Sequence, residues 1–192
     1  MTGNVVFLGF AVAGAEDFSI PASLVAIAAF LGGAFAGGRL GSSTGRHRGR
    51  FFVVAMLVQI LLVGAALVVA TTALDLDREP FQYALIVLFA LAMGLQNATA
   101  RRLDVPDLTT TVLTLTLTRL AADSTLAGGS SPRPGRRTIA TVTMFLGAAV
   151  GAFLVFHVGV GTVLALALAL LILNGIGAYG VSSSSAAWTA GG

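Results

Sequence analysis

The sequence predicts an all-α, polytopic transmembrane helix bundle, and two observations support this prediction. Hydrophobic residues make up 56% of the 192 positions and charged residues only 10%, whereas a soluble domain carries about 25% charged residues. The apolar residues also form runs of about 20, the length that a helix needs to cross a hydrocarbon layer of roughly 30 Å. Composition therefore excludes the soluble, disordered and collagen-like classes, and the lack of Cys excludes a disulfide scaffold.

The first part of the chain contains two predicted spans separated by a basic loop. Residues 1–14 are apolar, but they are too short to cross a bilayer and lack the basic start of a signal peptide. Residues 19–38 are the first full span, with Pro21 in the first turn, where a proline is tolerated. Residues 39–50 hold four arginines, and residues 51–73 form the second span.

The rest of the chain contains three further predicted spans. Residues 81–100 are the third span and follow an acidic turn that ends at Pro80. Residues 138–157 and 162–181 are the fourth and fifth spans. The tail at 182–192 is small and polar, and it is predicted to be disordered.

Residues 108–122 are apolar but rich in threonine, and they are harder to assign. From Thr111 to Thr118 apolar and polar residues alternate, which is typical of a strand. A lone strand would leave its backbone groups unpaired in lipid. The sequence therefore favours a helix or a re-entrant half-helix packed inside protein, and it leaves open whether the segment is re-entrant or a full span.

The basic loops predict the orientation and the partners. Four arginines at 39–50 and three at 123–137 place both loops in the cytoplasm, because positive loops are retained there. Retention of these loops in the cytoplasm also explains the net charge of +3. The bilayer, and not nucleic acid, is therefore the predicted partner. The oligomeric state is left open.

An internal repeat is predicted within a single transmembrane domain that covers the chain. Residues 2–5 align with residues 109–112, and the corresponding loops differ in charge. This pattern favours a 3+3 inverted repeat with broken or re-entrant helices, an architecture found in secondary transporters. The first repeat is predicted over 1–73, truncated, and the second over 81–181.

Three short motifs, in order, resemble a known family: Met1-Thr-Gly-Asn4, Gly94-Leu-Gln-Asn-Ala98 and Thr109-Thr-Thr111. In these motifs, and over nearly the whole chain, the sequence is similar to the YoaK family of bacterial inner-membrane proteins, a domain of unknown function. The resemblance implies a multi-pass protein of the inner (plasma) membrane and supplies no substrate. Family members carry a further Gly-rich span before the first motif, so this chain is expected to lack the family's first span, as a truncated or misassigned start would produce.

Polar residues at the predicted helix breaks are the candidate binding residues. Gln96 and Asn97 follow Gly94 near the end of a span, and amides in lipid usually face protein or a cavity. They are interpreted either as a small-solute or ion site near a helix break or as interhelical hydrogen bonds. Gln59 and Asn174 are single amides in otherwise apolar spans, where holding helices together is favoured over binding a solute.

The remaining candidates come from the repeat and from one arginine. Thr2 and Asn4 are predicted to face the break at 109–111, where unpaired carbonyls bind ions, although threonines at such positions also cap helices. Arg119 is a candidate for an anionic substrate or an ion-pair partner of Asp123. The predicted substrate-binding set is Thr2, Asn4, Gln96, Asn97, Thr109, Thr110, Thr111 and Arg119.

No catalytic, metal or cofactor site is predicted. The sequence has no GxSxG, HExxH or phosphate-binding glycine loop, and its two histidines are far apart. Gly33 with Gly37 and Gly147 with Gly151 form two GxxxG pairs, for which close helix packing within the bundle is favoured over dimerisation.

Two functions stay open. The first is a transporter of a small solute or ion, with Asn4, Gln96, Asn97 and 109–111 around a cavity near mid-membrane. The second is a membrane scaffold or partner-binding protein, in which those amides bond to one another and leave no path for water.

Overall fold

The chain is described by a computed structural model that covers residues 1–43, 48–73, 78–103, 118, 121–122 and 134–182. In these residues the structure contains six α-helices and no strand, which confirms the all-α prediction. The helices are α1 (Thr2–Val12), α2 (Ile20–Ser43), α3 (Arg48–Thr72), α4 (Glu79–Leu103), α5 (Pro134–His157) and α6 (Val160–Ser182).

Five of these helices, α2 to α6, are long and apolar enough to cross a membrane. They overlap the five predicted spans but extend further at the charged ends. α2 ends at Ser43, α3 begins at Arg48 and α4 ends at Leu103. The extension has a physical reason, because arginine lays its aliphatic stem along apolar surface and keeps its charge in water, so a helix can continue into the interface.

α1 has 11 residues, which corresponds to about 16 Å and half of the hydrocarbon layer. It ends at Val12 and is followed by Gly14, whose φ of +94° is the left-handed conformation that glycine adopts freely. The Ala15 N–H donates to the Phe10 carbonyl across this turn at 3.0 Å. The chain then returns along α2, and Phe18 stacks on Phe7 with ring centres 4.9 Å apart.

The chain divides into two compact units, one of residues 1–102 with 164–192 and one of residues 103–163. The first unit contains α1 to α4 and most of α6, and the second contains α5. Of the segment 108–122 only residues 118 and 121–122 are described, and they are helical. The single domain, the inverted repeat and the disordered tail stay predictions, and residues 183–192 lie outside the described part.

α2 and α4 approach each other through glycine. Gly33 and Gly37 are buried on α2 and lie one turn apart. A Cβ at Gly33 would overlap the Leu91 carbonyl of α4, and one at Gly37 would lie 2.8 Å from the Ala98 Cβ. Close packing is therefore found at the Gly33–Gly37 pair, whereas a Cβ at Gly147 or Gly151 would meet no described atom within 4 Å.

Gly94 of α4 completes this contact, which we call the glycine seam (Gly33, Gly37 and Gly94). A Cβ at Gly94 would overlap the Phe30 carbonyl and would lie 2.8 Å from the Ala34 nitrogen. Small residues let helix backbones approach closely in lipid, where van der Waals packing drives helix association.

α3 contributes the most buried face of the first unit. Phe51, Ala55, Val63 and Ala66 are at most 4% exposed, and they recur every three or four residues, the spacing of one helix face. Gln59 lies on the same face and is only 3% exposed. A polar side chain is therefore enclosed in the middle of a transmembrane helix.

Candidate functional site

Two glutamines join α3 to α4. The Gln59 Nε2 donates to the Gln96 Oε1 at 3.2 Å. Gln59 lies eleven residues into α3, which is about 16 Å from its first residue and close to the middle of the hydrocarbon layer. An amide enclosed there without a partner would be costly, so the pair satisfies a buried polar group while it connects two helices.

The partner of Gln59 is missed when the amide is read alone, although the sequence contains a signal. Residue 59 lies 13 positions before the end of α3, and residue 96 lies 17 positions after the start of α4. Antiparallel helices that follow each other in the chain place such residues within about one helical turn in depth. The spacing therefore brings the two amides within reach of each other.

We expect the two glutamines to be coupled energetically. Gln96→Leu leaves the buried Gln59 amide without its partner and should cost about 1–3 kcal/mol of unfolding free energy, whereas the double replacement by leucine should cost less than the two single changes together. The coupling in a double-mutant cycle should be about 0.6 kcal/mol and at most about 1.7 kcal/mol. Unfolding by SDS in mixed micelles, followed by circular dichroism, measures it.

Asn174→Leu is the matched control for this cycle. The Asn174 Nδ2 donates to the Leu170 carbonyl of its own helix at 2.7 Å. Because Asn174 bonds within its own helix and Gln59 bonds to Gln96, Asn174→Leu should combine additively with Gln59→Leu. If Gln59 and Gln96 also combine additively, their hydrogen bond does not stabilise the fold.

A groove of about 430 Å³ lies between α1, α2 and α4, and Asn4 is in its wall. Ala26 of α2 and Ala90 of α4 belong to the same wall. They lie about 9 Å and about 16 Å along their helices from the first residues of α2 and α4, so the groove reaches the depth of the middle of a bilayer. Its lining is mostly apolar and consists of Met1, Asn4, Ala22, Ser23, Ala26, Leu85, Ile86, Phe89, Ala90 and Met93. We call it the Asn4 groove.

Asn97 continues the α4 wall of the Asn4 groove. Ile86, Ala90 and Met93 line the groove, and Asn97 follows Met93 by four residues, which places it on the same helix face. The Asn97 Nδ2 donates to the Met93 carbonyl at 2.8 Å. This bond leaves the Asn97 Oδ1 as an acceptor one turn beyond the groove.

Asn4 is held weakly. Its Nδ2 lies 3.8 Å from the Met1 sulfur, and a thioether is a weak acceptor. The Asn4 side chain is half-buried. The groove therefore offers one amide whose present partner is easily replaced.

The structure corrects two expectations about the candidate residues. No helix break occurs at Gly94–Ala98, because α4 is continuous from Glu79 to Leu103. Gly94 instead serves the contact with α2. Thr2 does not cap α1, because Met1 occupies the N-cap position and no side chain makes a capping bond there.

The candidates thus separate into two groups. Asn4 lines the Asn4 groove and Asn97 lies one turn beyond it on the same face of α4, whereas Gln96 turns to Gln59 on α3. Thr2 is exposed in the first turn of α1. The other predicted site residues lie outside the described part of the chain: Thr109, Thr110, Thr111 and Arg119.

One end of the first unit is basic. The Arg102 guanidinium carbon lies 5.7 Å from the centre of the Phe51 ring, within cation–π range. Its Nε would lie 2.6 Å from a Cβ at Gly41, so Arg102 fills the space over a glycine. Exposed arginines lie at the same end of α2, α3 and α4: Arg39, Arg48, Arg50 and Arg101.

No acidic residue balances this charge in the described ranges 39–43, 48–51 and 99–103. Among the residues described, no group of three or more His, Asp or Glu is placed to hold a metal ion. The site consists of amides, apolar walls and an arginine-rich rim.

Comparison with known proteins identifies the family. The model of a family described as "Protein of unknown function (DUF1275)" matches residues 1–176, which include α1 to α5 and most of α6. No curated protein and no solved structure matches the chain. Since the match covers most of the sequence, the chain belongs to the DUF1275 family of proteins of unknown function.

Proposed function

We propose that this chain is a transporter of a small solute or ion, and that the Asn4 groove is its binding site. The observation that carries the proposal is a groove at mid-membrane depth with Asn4 in its wall and Asn97 one turn further along the same face. Transporter sites lie near the midplane. The amides of Asn4 and Asn97 would offer a solute two successive hydrogen-bonding partners as it moves along this face.

The chemistry of the groove favours a small, uncharged solute that has an apolar body and one hydrogen-bonding group. Ligand sites combine apolar walls with a few placed polar groups. The Asn4 amide both donates and accepts, and the Asn97 Oδ1 accepts. A fully charged solute would need counter-charges, and none of the residues that line the groove is acidic or basic.

The weakness of the Asn4 contact also favours transport of a solute over its tight binding. Conduction requires binding that is favourable enough for entry and weak enough for release. The Asn4 contact to a sulfur at 3.8 Å is readily exchanged for a solute contact. Gln59 is buried and its bond to Gln96 is partly buried, and we assign this pair a fixed structural role beside the moving solute.

Localisation follows from the same proposal. We assign the chain to the bacterial inner membrane, with the arginine-rich rim in the cytoplasm according to the positive-inside rule. The motifs that resemble the YoaK family support this assignment.

A membrane scaffold is the second candidate function. The Gln59–Gln96 hydrogen bond favours it, because amides that bond to one another serve to hold helices together. Under this alternative the Asn4 groove carries no solute.

Flux through proteoliposomes tests the transporter. The full chain is reconstituted and assayed with radiolabelled glycerol, urea, alanine and acetate, and with potassium as the ion. We expect uptake of at least one uncharged probe, reduced about ten-fold by Asn97→Ala and by Asn4→Ala, since a lost hydrogen bond of about 1–1.5 kcal/mol corresponds to such a factor.

Asn174→Ala is the control, because this amide bonds within α6 and does not line the Asn4 groove. It should keep the wild-type flux. A folded protein that moves none of these probes would contradict the transporter and favour the scaffold. Equal loss of flux in all three variants would contradict the assignment of the site to the groove.

A further inference from the structure

Ser23 differs from the other serines and threonines of α2, α3 and α4 in what its hydroxyl contacts. The others donate to a carbonyl one turn earlier in their own helix, at 2.7–2.9 Å: Ser42, Ser43, Thr71, Thr72 and Thr99. The backbone N–H of Ser23 donates to the Ser19 carbonyl at 3.1 Å, but its hydroxyl has no hydrogen-bond partner in the part of the chain that the structure describes. The Ser23 side chain instead lines the Asn4 groove.

Ser23 lies near the end of the groove that is opposite the arginine-rich rim. It is the fourth residue of α2, about 4.5 Å along the helix from Ile20. Asn4 lies eight residues before the end of α1 at Val12, which corresponds to about 12 Å. Since the chain reverses between α1 and α2, the Ser23 hydroxyl and the Asn4 amide lie at successive depths of one groove, and Ser23 is nearer to its end.

An unpaired hydroxyl within a membrane span needs a partner, because a polar group moved into hydrocarbon without a hydrogen bond is costly. Asn4 has the same need, since its Nδ2 contacts only a thioether, at 3.8 Å. The groove of about 430 Å³ has room for several water molecules, each of which takes about 30 Å³ in the liquid. A lipid tail in the groove would match its apolar walls but would leave both polar groups unsatisfied.

We propose that water fills the Asn4 groove from the end opposite the arginine-rich rim, and that Ser23 is the first residue to which an entering solute hydrogen-bonds. The first part depends on the groove alone, whereas the second part rests on the proposed transporter function. A hydroxyl both donates and accepts, so a solute exchanges a water molecule for Ser23 and then reaches the Asn4 amide deeper in the groove.

Thiol labelling measures whether water reaches Ser23. The chain has no Cys, so Ser23→Cys introduces a single thiol with little change in size. A membrane-impermeant methanethiosulfonate that carries a trimethylammonium group is added outside proteoliposomes that contain the full chain. The thiolate is the reacting form: it attacks the sulfenyl sulfur, forms a mixed disulfide and releases methanesulfinate. Mass spectrometry of the intact protein follows the reaction with time.

Two further single-cysteine variants are the matched controls. Asp17→Cys lies in the exposed turn between α1 and α2 and gives the fraction of molecules that have this end outside. Leu24 follows Ser23 by one residue, but it is 52% exposed and does not line the groove. We expect Ser23→Cys to react nearly as fast as Asp17→Cys, and Leu24→Cys to react at least about ten-fold more slowly, because lipid raises the pKa of a thiol and each unit lowers the thiolate fraction ten-fold.

Flux measurements with glycerol and urea test the role of Ser23 in entry. Ser23→Ala should raise the KM of a transported probe about ten-fold, as the loss of one hydrogen bond predicts, with little change in the maximum rate. Ser23→Thr keeps the hydroxyl and should restore most of the wild-type KM. Ser42→Ala is the control, because the Ser42 hydroxyl donates to the Arg39 carbonyl and does not line the groove.

Several results would overturn the proposal. If Asp17→Cys reacts and Ser23→Cys does not, lipid and not water fills the groove. Equal rates at Ser23→Cys and Leu24→Cys would mean that water surrounds α2 instead of entering the groove. An unchanged KM in Ser23→Ala, or the same rise in Ser42→Ala, would remove the role of Ser23 in entry. A wild type that moves neither probe would contradict the transporter and that role together, whereas the labelling still decides whether the groove holds water.

Discussion

Gly94→Ala is expected to lower the free energy of unfolding by about 2 kcal/mol, although alanine is the better helix former. The added Cβ overlaps the Phe30 carbonyl and lies 2.8 Å from the Ala34 nitrogen. Overpacking lowers the free energy of unfolding by about 1–3 kcal/mol. We expect the largest value in this range, because the clash is with backbone atoms, which cannot move aside by changing rotamer. The helix propensity of alanine offsets about 1 kcal/mol, and we take the backbone clash as roughly 3 kcal/mol.

SDS unfolding in mixed micelles measures this effect, and Gly38→Ala is the matched control. Gly38 lies on α2 beside the glycine seam, and a Cβ there meets no described atom within 4 Å. The control should be unchanged or up to about 1 kcal/mol more stable than the wild type. If Gly94→Ala is as stable as Gly38→Ala, the backbones of α2 and α4 are not in contact.

Phe51→Ala should be the most destabilising change of a side chain in the first unit, at about 3 kcal/mol. Phe51 is 2% exposed and is the largest fully buried side chain in the described part of the protein. Truncation of a buried phenylalanine leaves a cavity and costs about 3–5 kcal/mol in water-soluble proteins. We expect a loss at the lower end of this range, because lipid tails are as apolar as the protein interior and burial of apolar groups therefore stabilises a membrane protein less.

Part of the stability lost in Phe51→Ala should come from the contact of its ring with Arg102, which lies over it. A double-mutant cycle of Phe51→Leu with Arg102→Gln should show a coupling of about 0.5–1 kcal/mol, the magnitude of an exposed cation–π pair. The control is Phe35→Ala on α2, since Phe35 is 69% exposed and should change stability by less than about 0.5 kcal/mol. An equal loss at Phe35 and Phe51 would contradict the burial of Phe51.

The spans were predictable because the bilayer fixes both the length and the polarity of a crossing helix. The termini of these helices were not predictable, because hydropathy falls at Arg39, Arg48 and Arg101, whereas the helices include these residues. Arginine is polar in a hydropathy count, but its stem packs like an aliphatic chain.

The site was predictable in part. Gln96 and Asn97 stand out because amides are rare in lipid, but their partners depend on the pairing of helices. Gly94 was interpreted as a sign of a helix break, although the structure uses it for close contact with α2. A sequence alone does not distinguish these two uses of glycine, because the difference lies in the neighbouring helix.

A groove between α3 and α6, lined by Ile60 and Gly175, was beyond prediction for a related reason. Its two walls are about 120 residues apart in the chain, and no local pattern specifies that they meet. The Gln59–Gln96 pair is different, since α3 and α4 follow each other in the chain and the two residues lie within about one helical turn in depth.

The glycine seam also has a consequence for the size of anything that enters the Asn4 groove. α2 and α4 form two of its walls, and at the seam they are already in backbone contact, so their separation is fixed by main-chain atoms and not by rotamers. The third wall is α1, a half-length helix that meets the chain beyond its turn through the stacked rings of Phe7 and Phe18. The spacing of α2 and α4 therefore limits the width of anything that enters, and α1 is the one wall that this backbone contact does not hold.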